Sequence, residues 1–98
     1  MHSDASIGLE SRISRKPRVA YRDLAEGGVL LDLESGDYHG LNSTGAAIWK
    51  LLEPEPSLAD LLEKLTSILD DPPTALREDV TGFLVGLRQN GLVSVREA

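Results

Sequence analysis

The stretch that most restricts the fold is residues 27–52, GGVLLDLESGDYHGLNSTGAAIWKLL, where a hairpin runs directly into a helix start. Val29, Leu31 and Leu33 alternate with Leu30, Asp32 and Glu34, the period of two expected of a strand with one buried face. Glu34, Ser35, Gly36 and Asp37 form a polar turn in which Gly36 can take a positive φ, so Tyr38 to Leu41 should return antiparallel. Asn42 then offers a side-chain acceptor to the free N–H groups of a first helical turn, and Ala46, Ala47, Ile48, Trp49, Leu51 and Leu52 continue the helix to about Glu53.

The flanking sequence extends this unit on both sides. Pro17 opens a short strand in which Val19 and Tyr21 alternate with polar neighbours, connected through residues 23–28 to the second strand, so the expected sheet is a three-stranded antiparallel meander with Tyr38 to Leu41 at an edge. Pro54 and Pro56 break the chain after the first helix. Ser57 caps a second helix with Asp60 at the third position, and Leu58, Leu61, Leu62, Leu65, Ile68 and Leu69 keep its helical spacing. Asp70, Asp71, Pro72 and Pro73 end that helix and start a third, whose core stripe is Leu76, Val80, Phe83, Leu84 and Leu87 and whose stop is Gly91 in a left-handed conformation. Residues 92–96 resume alternation as a short C-terminal strand. The predicted fold is therefore α+β and winged helix-turn-helix-like: a three-stranded antiparallel sheet packed on a three-helix bundle. Residues 1–16, rich in Ser, Arg and charge without a sustained period, are expected to form a flexible N-terminal tail ahead of a recognition domain over 17–96.

Composition bounds the function. Ninety-eight residues with 41% hydrophobic content make one small domain. The absence of cysteine removes disulfides, thiolate metal sites and thiol nucleophiles, and His2 and His39 alone do not make a zinc site, so no metal and no cofactor are expected. A net charge of −6 opposes a sequence-independent grip on nucleic acid phosphates. No apolar run reaches membrane-spanning length and no signal-peptide core is present, so a cytoplasmic protein that engages neither membrane nor nucleic acid is expected.

No catalytic set emerges either. Ser43 and Thr44 sit at a helix start without a histidine or lysine to activate them, and the paired acids Asp70–Asp71 and Glu78–Asp79 diverge around a helix surface rather than converging on a substrate. Two features stand apart from ordinary core and surface. The third strand, Tyr38, His39, Gly40 and Leu41, carries no lysine or proline to repel a chain adding to its edge; the same edge could pair a second copy of the protein as a homodimer. On the third helix, Arg77, Thr81, Leu84 and Arg88 form a mixed stripe beside the core stripe, with two arginines able to grip carboxylates. Gly82 and Gly86, one turn apart, each cost about 0.8–1 kcal/mol against alanine in a helix interior. Packing by the protein's own first helix explains them as well as approach by another backbone, so they are not assigned to the site.

The pattern LLDLESGDYHGLNSTGAAIWKLL, followed by DVTGFLVGLRQNGLV over residues 79–93, resembles the PqqD-like family, the leader-recognition domains of ribosomal peptide biosynthesis. Leu41, Asn42, Thr44, Gly45 and Ile48 carry the first half, and Asp79, Val80, Phe83, Leu84, Leu87 and Gly91 the second. The resemblance spans roughly residues 17–95, and within the family the hydrophilic start and D-L-x-x-G-x-Y hairpin are most similar to the free-standing leader-binding proteins of lasso-peptide clusters. It implies a non-catalytic adaptor that binds the leader of a precursor peptide by strand addition and delivers it to a separate leader peptidase and a cyclase. Asp37, Tyr38, His39, Gly40 and Leu41 would then offer backbone pairing, while Leu31, Leu33, Arg77, Val80, Thr81, Leu84 and Arg88 would line or rim the cleft. The alternative is a winged-helix DNA-binding regulator, which the acidic body and Glu78 and Asp79 on the third helix disfavour.

Overall fold

The computed structural model describes residues 7–69 and 75–97. Its elements run β1 (Arg12–Arg15), β2 (Val19–Leu24), β3 (Gly27–Asp32), β4 (Tyr38–Asn42), α1 (Ser43–Lys50), α2 (Leu58–Ile68), α3 (Leu76–Gln89) and β5 (Val93–Arg96). The main sheet is antiparallel in the order β2-β3-β4, and β1 pairs with β5 in a separate two-stranded ribbon. This is the expected α+β architecture. The β2–β3 connection is shorter than expected, since pairing reaches Leu24 with Gly27 and leaves only Ala25 and Glu26 in the turn.

Local chemistry explains the joints. Asn42 is the last residue of β4 and the N-cap of α1, its Oδ1 accepting from the Gly45 N–H at 2.8 Å, so strand passes into helix without a loop. Ser57 Oγ accepts from the Asp60 N–H at 3.1 Å at the start of α2. Gly36 and Gly91 take φ values of 83° and 74°, the left-handed region anticipated at the hairpin turn and at the end of α3. The segment from Asp70 to Pro73, expected to join two helices, lies outside the described residues.

The core lies where α1, α2 and α3 meet the inner face of the sheet, with Trp49, Leu30, Leu52, Leu61, Leu65 and Leu84 all buried. At its edge, Lys50 Nζ lies 2.9 Å from Asp23 Oδ1, which also accepts from the Tyr21 hydroxyl, tying the end of β2 to the end of α1.

The expectation of a flexible tail over residues 1–16 is corrected from residue 7 onward. Ile7 and Ile13 are buried in the core, and β1 runs in register with β5 from Arg12 opposite Arg96 to Arg15 opposite Val93. Hydrogen bonding supplies the reason. The first turn of α2 presents N–H groups without intrahelical partners, and the Ser11 and Leu9 carbonyls accept from Leu58 and Ala59 at 3.0 and 2.9 Å. In return the Ile13 N–H donates to the Pro56 carbonyl at 3.0 Å. Arg15 closes the end of α1, donating through Nη2 and Nε to the Trp49 carbonyl at 2.7 and 3.2 Å while its guanidinium sits 5.1 Å from the centre of the Trp49 ring. A polar, arginine-rich segment thus serves as a clamp whose apolar residues are few but deeply set.

Ile13→Ala is therefore expected to destabilise the protein by about 2–5 kcal/mol, the range for emptying a buried aliphatic site, measured by chemical denaturation. A change within experimental error would show that this segment contributes nothing to the core.

Candidate functional site

Beside β4 the sheet ends. Among the described strands β4 pairs with β3 alone, from Gly27 opposite Asn42 to Leu31 opposite Tyr38. Its other side therefore offers main-chain donors and acceptors to an incoming strand. Alternation along β4 turns His39 and Leu41 toward the helices and Tyr38 and Gly40 to the outer face. Between this edge and α3 runs a groove of about 250 Å³ to which β4 contributes His39, Gly40 and Leu41. Gly82, Phe83, Gly86 and Asn90 contribute the helix wall, and Leu87 and Leu92 lie at its base. Among the described residues, the lining contains no carboxylate, lysine or arginine.

The residues named from sequence divide into separate groups. His39, Gly40 and Leu41 lie on the groove. Leu31 and Tyr38 are cross-strand partners on the opposite face of the sheet, where they form a shallow hollow with Ala20, Arg22 and Val29; Tyr38 is 71% exposed. Leu33 follows β3 and is exposed, its N–H donating to the Arg18 carbonyl. Asp37 closes the turn, its carbonyl accepting from the Asp32 N–H at 2.9 Å.

On α3 the placement departs from expectation. Val80 and Leu84, expected to line the cleft, are 1% and 0% exposed within the core and support the groove from behind. Arg77 lines a separate open hollow with Gly8, Leu9, Glu10, Ser11 and Glu97, and Thr81 and Arg88 are absent from the groove lining. The geometry is simple: at about 100° per residue, Arg77, Thr81 and Arg88 fall on one flank of the core stripe and Gly82, Phe83, Gly86 and Asn90 on the other. The sequence carried a signal for the groove-lining flank in its two glycines. A β carbon added at Gly82 or Gly86 would meet nothing within 4 Å, so packing by the protein's own first helix does not account for either.

Electrostatics fix the hairpin rather than the groove. The Asp32 carboxylate accepts from the Glu34 and Ser35 N–H groups at 2.9 and 3.3 Å, and these bonds, Glu34 first, hold its pKa below the ordinary carboxylate value. Among the described residues, no three His, Cys, Asp or Glu side chains gather to hold a metal, and no helix is long and apolar enough to cross a membrane.

The family model for coenzyme PQQ synthesis protein D (PqqD) matches residues 27–93, from the start of β3 through α3 to the first residue of β5. The chain belongs to the PqqD family. Two solved structures share the fold of this PqqD-like recognition element. TbiB1 in complex with the TbiA(beta) leader peptide has a TM-score of 0.72 at 25% identity, covering 83% of this chain and 94% of that one. A lasso peptide synthetase B1 complexed with its leader peptide has a TM-score of 0.68 at 32% identity, covering 84% and 96%. No curated protein matches the sequence.

The Asp32 cap gives a pH dependence of definite sign. Its folded pKa lies below the unfolded value, so its contribution is fully present above the ordinary carboxylate range and is lost as pH falls through the lowered value. Asp32→Asn should therefore flatten the acid limb of the thermal stability profile relative to wild type. Parallel limbs would show that the turn does not depend on the ionised side chain.

Proposed function

We propose that this protein is a non-catalytic adaptor that captures the leader of a ribosomally made precursor peptide and delivers it to a separate leader peptidase and a cyclase, in the manner of lasso-peptide maturation. The observation that carries the reading is the juxtaposition of an open strand edge with an apolar groove whose helix wall is lowered by two glycines. A leader adding beside β4 gains main-chain hydrogen bonds irrespective of its sequence, and alternate side chains that drop toward α3 supply selectivity. The two solved relatives, each in complex with a leader peptide, support the leader-binding part of this reading.

Delivery requires a second surface, and the outer face of the sheet is suited to it. Val29, Leu31 and Tyr38 form an apolar patch there, and among the described residues Arg22 is the one charged side chain lining it. Because a strand pleats, a leader bound at β4 would show its other alternate side chains on this same face. A folded partner docked on the patch would then touch adaptor and leader together.

Titration of the protein with fluorescently labelled leaders from short open reading frames near its gene, with a scrambled leader and duplex DNA as controls, tests the proposal. Saturable binding of the true leader alone is expected; binding of DNA alone would return the chain to the regulators. Gly86→Leu should fill the groove and weaken leader binding by about tenfold or more, while folding stability holds or rises by about 0.5–1 kcal/mol because an interior helical glycine is removed. Tyr38→Asp should leave leader affinity within about twofold and weaken capture of the peptidase in a pull-down, the separation expected if the two faces serve two partners.

A further inference from the structure

On the leader-binding reading, we infer that Phe83 sets which leader side chain the groove accepts, and that Gly45 is a positioning residue that lets its ring lie back from the opening. The side chain selected is a large apolar one, aromatic or branched aliphatic, carried on the leader's groove-facing side.

Phe83 is the one large side chain that α3 presents directly between the two open glycine positions and the core. It is half-buried, packed against the core on one side and lining the groove on the other. Its ring lies so near the first turn of α1 that a β carbon at Gly45 would stand 3.2 Å from Cε1 and 3.3 Å from Cζ. Carbon atoms at rest prefer about 3.5–4.0 Å. Any side chain at position 45 therefore moves the ring by a few tenths of an ångström, and the yielding side is the groove.

The backbone gives Gly45 no other reason to be glycine. It is not among the positive-φ glycines, which are Gly27, Gly36 and Gly91, and its N–H bond to Asn42 Oδ1 is one that alanine would retain. The remaining close neighbour of a β carbon there is that capping oxygen, at 3.3 Å. On the same wall as Phe83, Gly82 and Gly86 leave open space about 6 Å long along α3, enough for one side chain of a strand whose same-face residues repeat roughly every 6.6–6.8 Å. Among the described residues the lining includes Leu41, Leu87 and Leu92, with His39 its one ionisable side chain and no acid, so a buried cation would lose water without gaining a counterion. A bulky apolar side chain fits this space, and the Phe83 ring sets its depth.

The test uses the full-length protein, its Gly45→Ala, Phe83→Leu and double variants, and the precursor's leader with each position in turn made Ala, Leu, Phe or Trp. For wild type, one position should lose about tenfold in affinity on replacement by Ala. At that position Gly45→Ala should penalise Phe and Trp about three- to tenfold relative to Ala, Phe83→Leu should shift preference toward Trp, and the double variant should follow Phe83→Leu. Leader binding with the same size ranking in every folded variant would overturn the inference and leave the adaptor reading intact. No leader binding by wild type would overturn both. Should Gly45→Ala fail to fold by circular dichroism, the ranking in Phe83→Leu alone decides.

Discussion

The site depends on a joint of zero length. Asn42 completes β4 and caps α1 in one residue, so the edge strand cannot swing relative to the helix that follows it. That helix is in turn fixed by burial of Ile48 and Trp49, with Leu52 just beyond its end, in the same core as Val80, Leu84 and Leu87 of α3. The width of the groove between β4 and α3 is thus set by core packing on one side and a capping bond on the other. A flexible connection would leave the strand edge intact but would not hold it one side chain away from a helix.

A second constraint accounts for the segment that precedes the main sheet. Three short helices in a small domain leave many terminal N–H and C=O groups to satisfy. The segment preceding the main sheet meets part of that need, with Leu9 and Ser11 accepting from the start of α2 and Arg15 donating to the end of α1. Its pairing with β5 uses strand edges that would otherwise be open. The β4 edge beside the groove and the outer edge of β2 both remain unpaired among the described strands, and of the two it is the β4 edge that lies next to α3.

The legibility of these features in sequence followed their range. Caps at Asn42 and Ser57, the turn at Gly36 and the stop at Gly91 are local, each set by one side chain and its immediate backbone, and all appear where expected. The β1–β5 pairing joins residues some eighty positions apart, and nothing local in RISR distinguishes a clamp from a solvated tail. The groove-lining flank of α3 was hidden in the sequence for a different reason. Arginines at helical spacing look like binding groups, whereas glycines look like weak helix, yet the lining of an apolar groove is made by what is left out. Leu84 was a conflict within the sequence itself, since one residue was assigned both to the core stripe and to the binding flank. Its complete burial resolves that conflict in favour of the core.

The two faces of the sheet are coupled by the pleat. A strand seated on β4 sends half of its side chains toward Gly82 and Gly86 and half to the side occupied by Tyr38 and Leu31. On the proposed reading the groove would select the leader by one set of residues while the other set would complete a surface that the adaptor alone only begins. If a partner contacts both Tyr38 and the leader's outward residues, its affinity for the adaptor must rise when the leader is bound, and by linkage the leader's affinity must rise by the same factor when the partner is present. On the proposed reading, such reciprocity would give an adaptor a way to order a sequence of steps: empty, it would compete poorly for the next protein, and the partner's departure would loosen the leader. The physical requirement is modest, since it asks only that the bound strand keep the alternation that β4 already has.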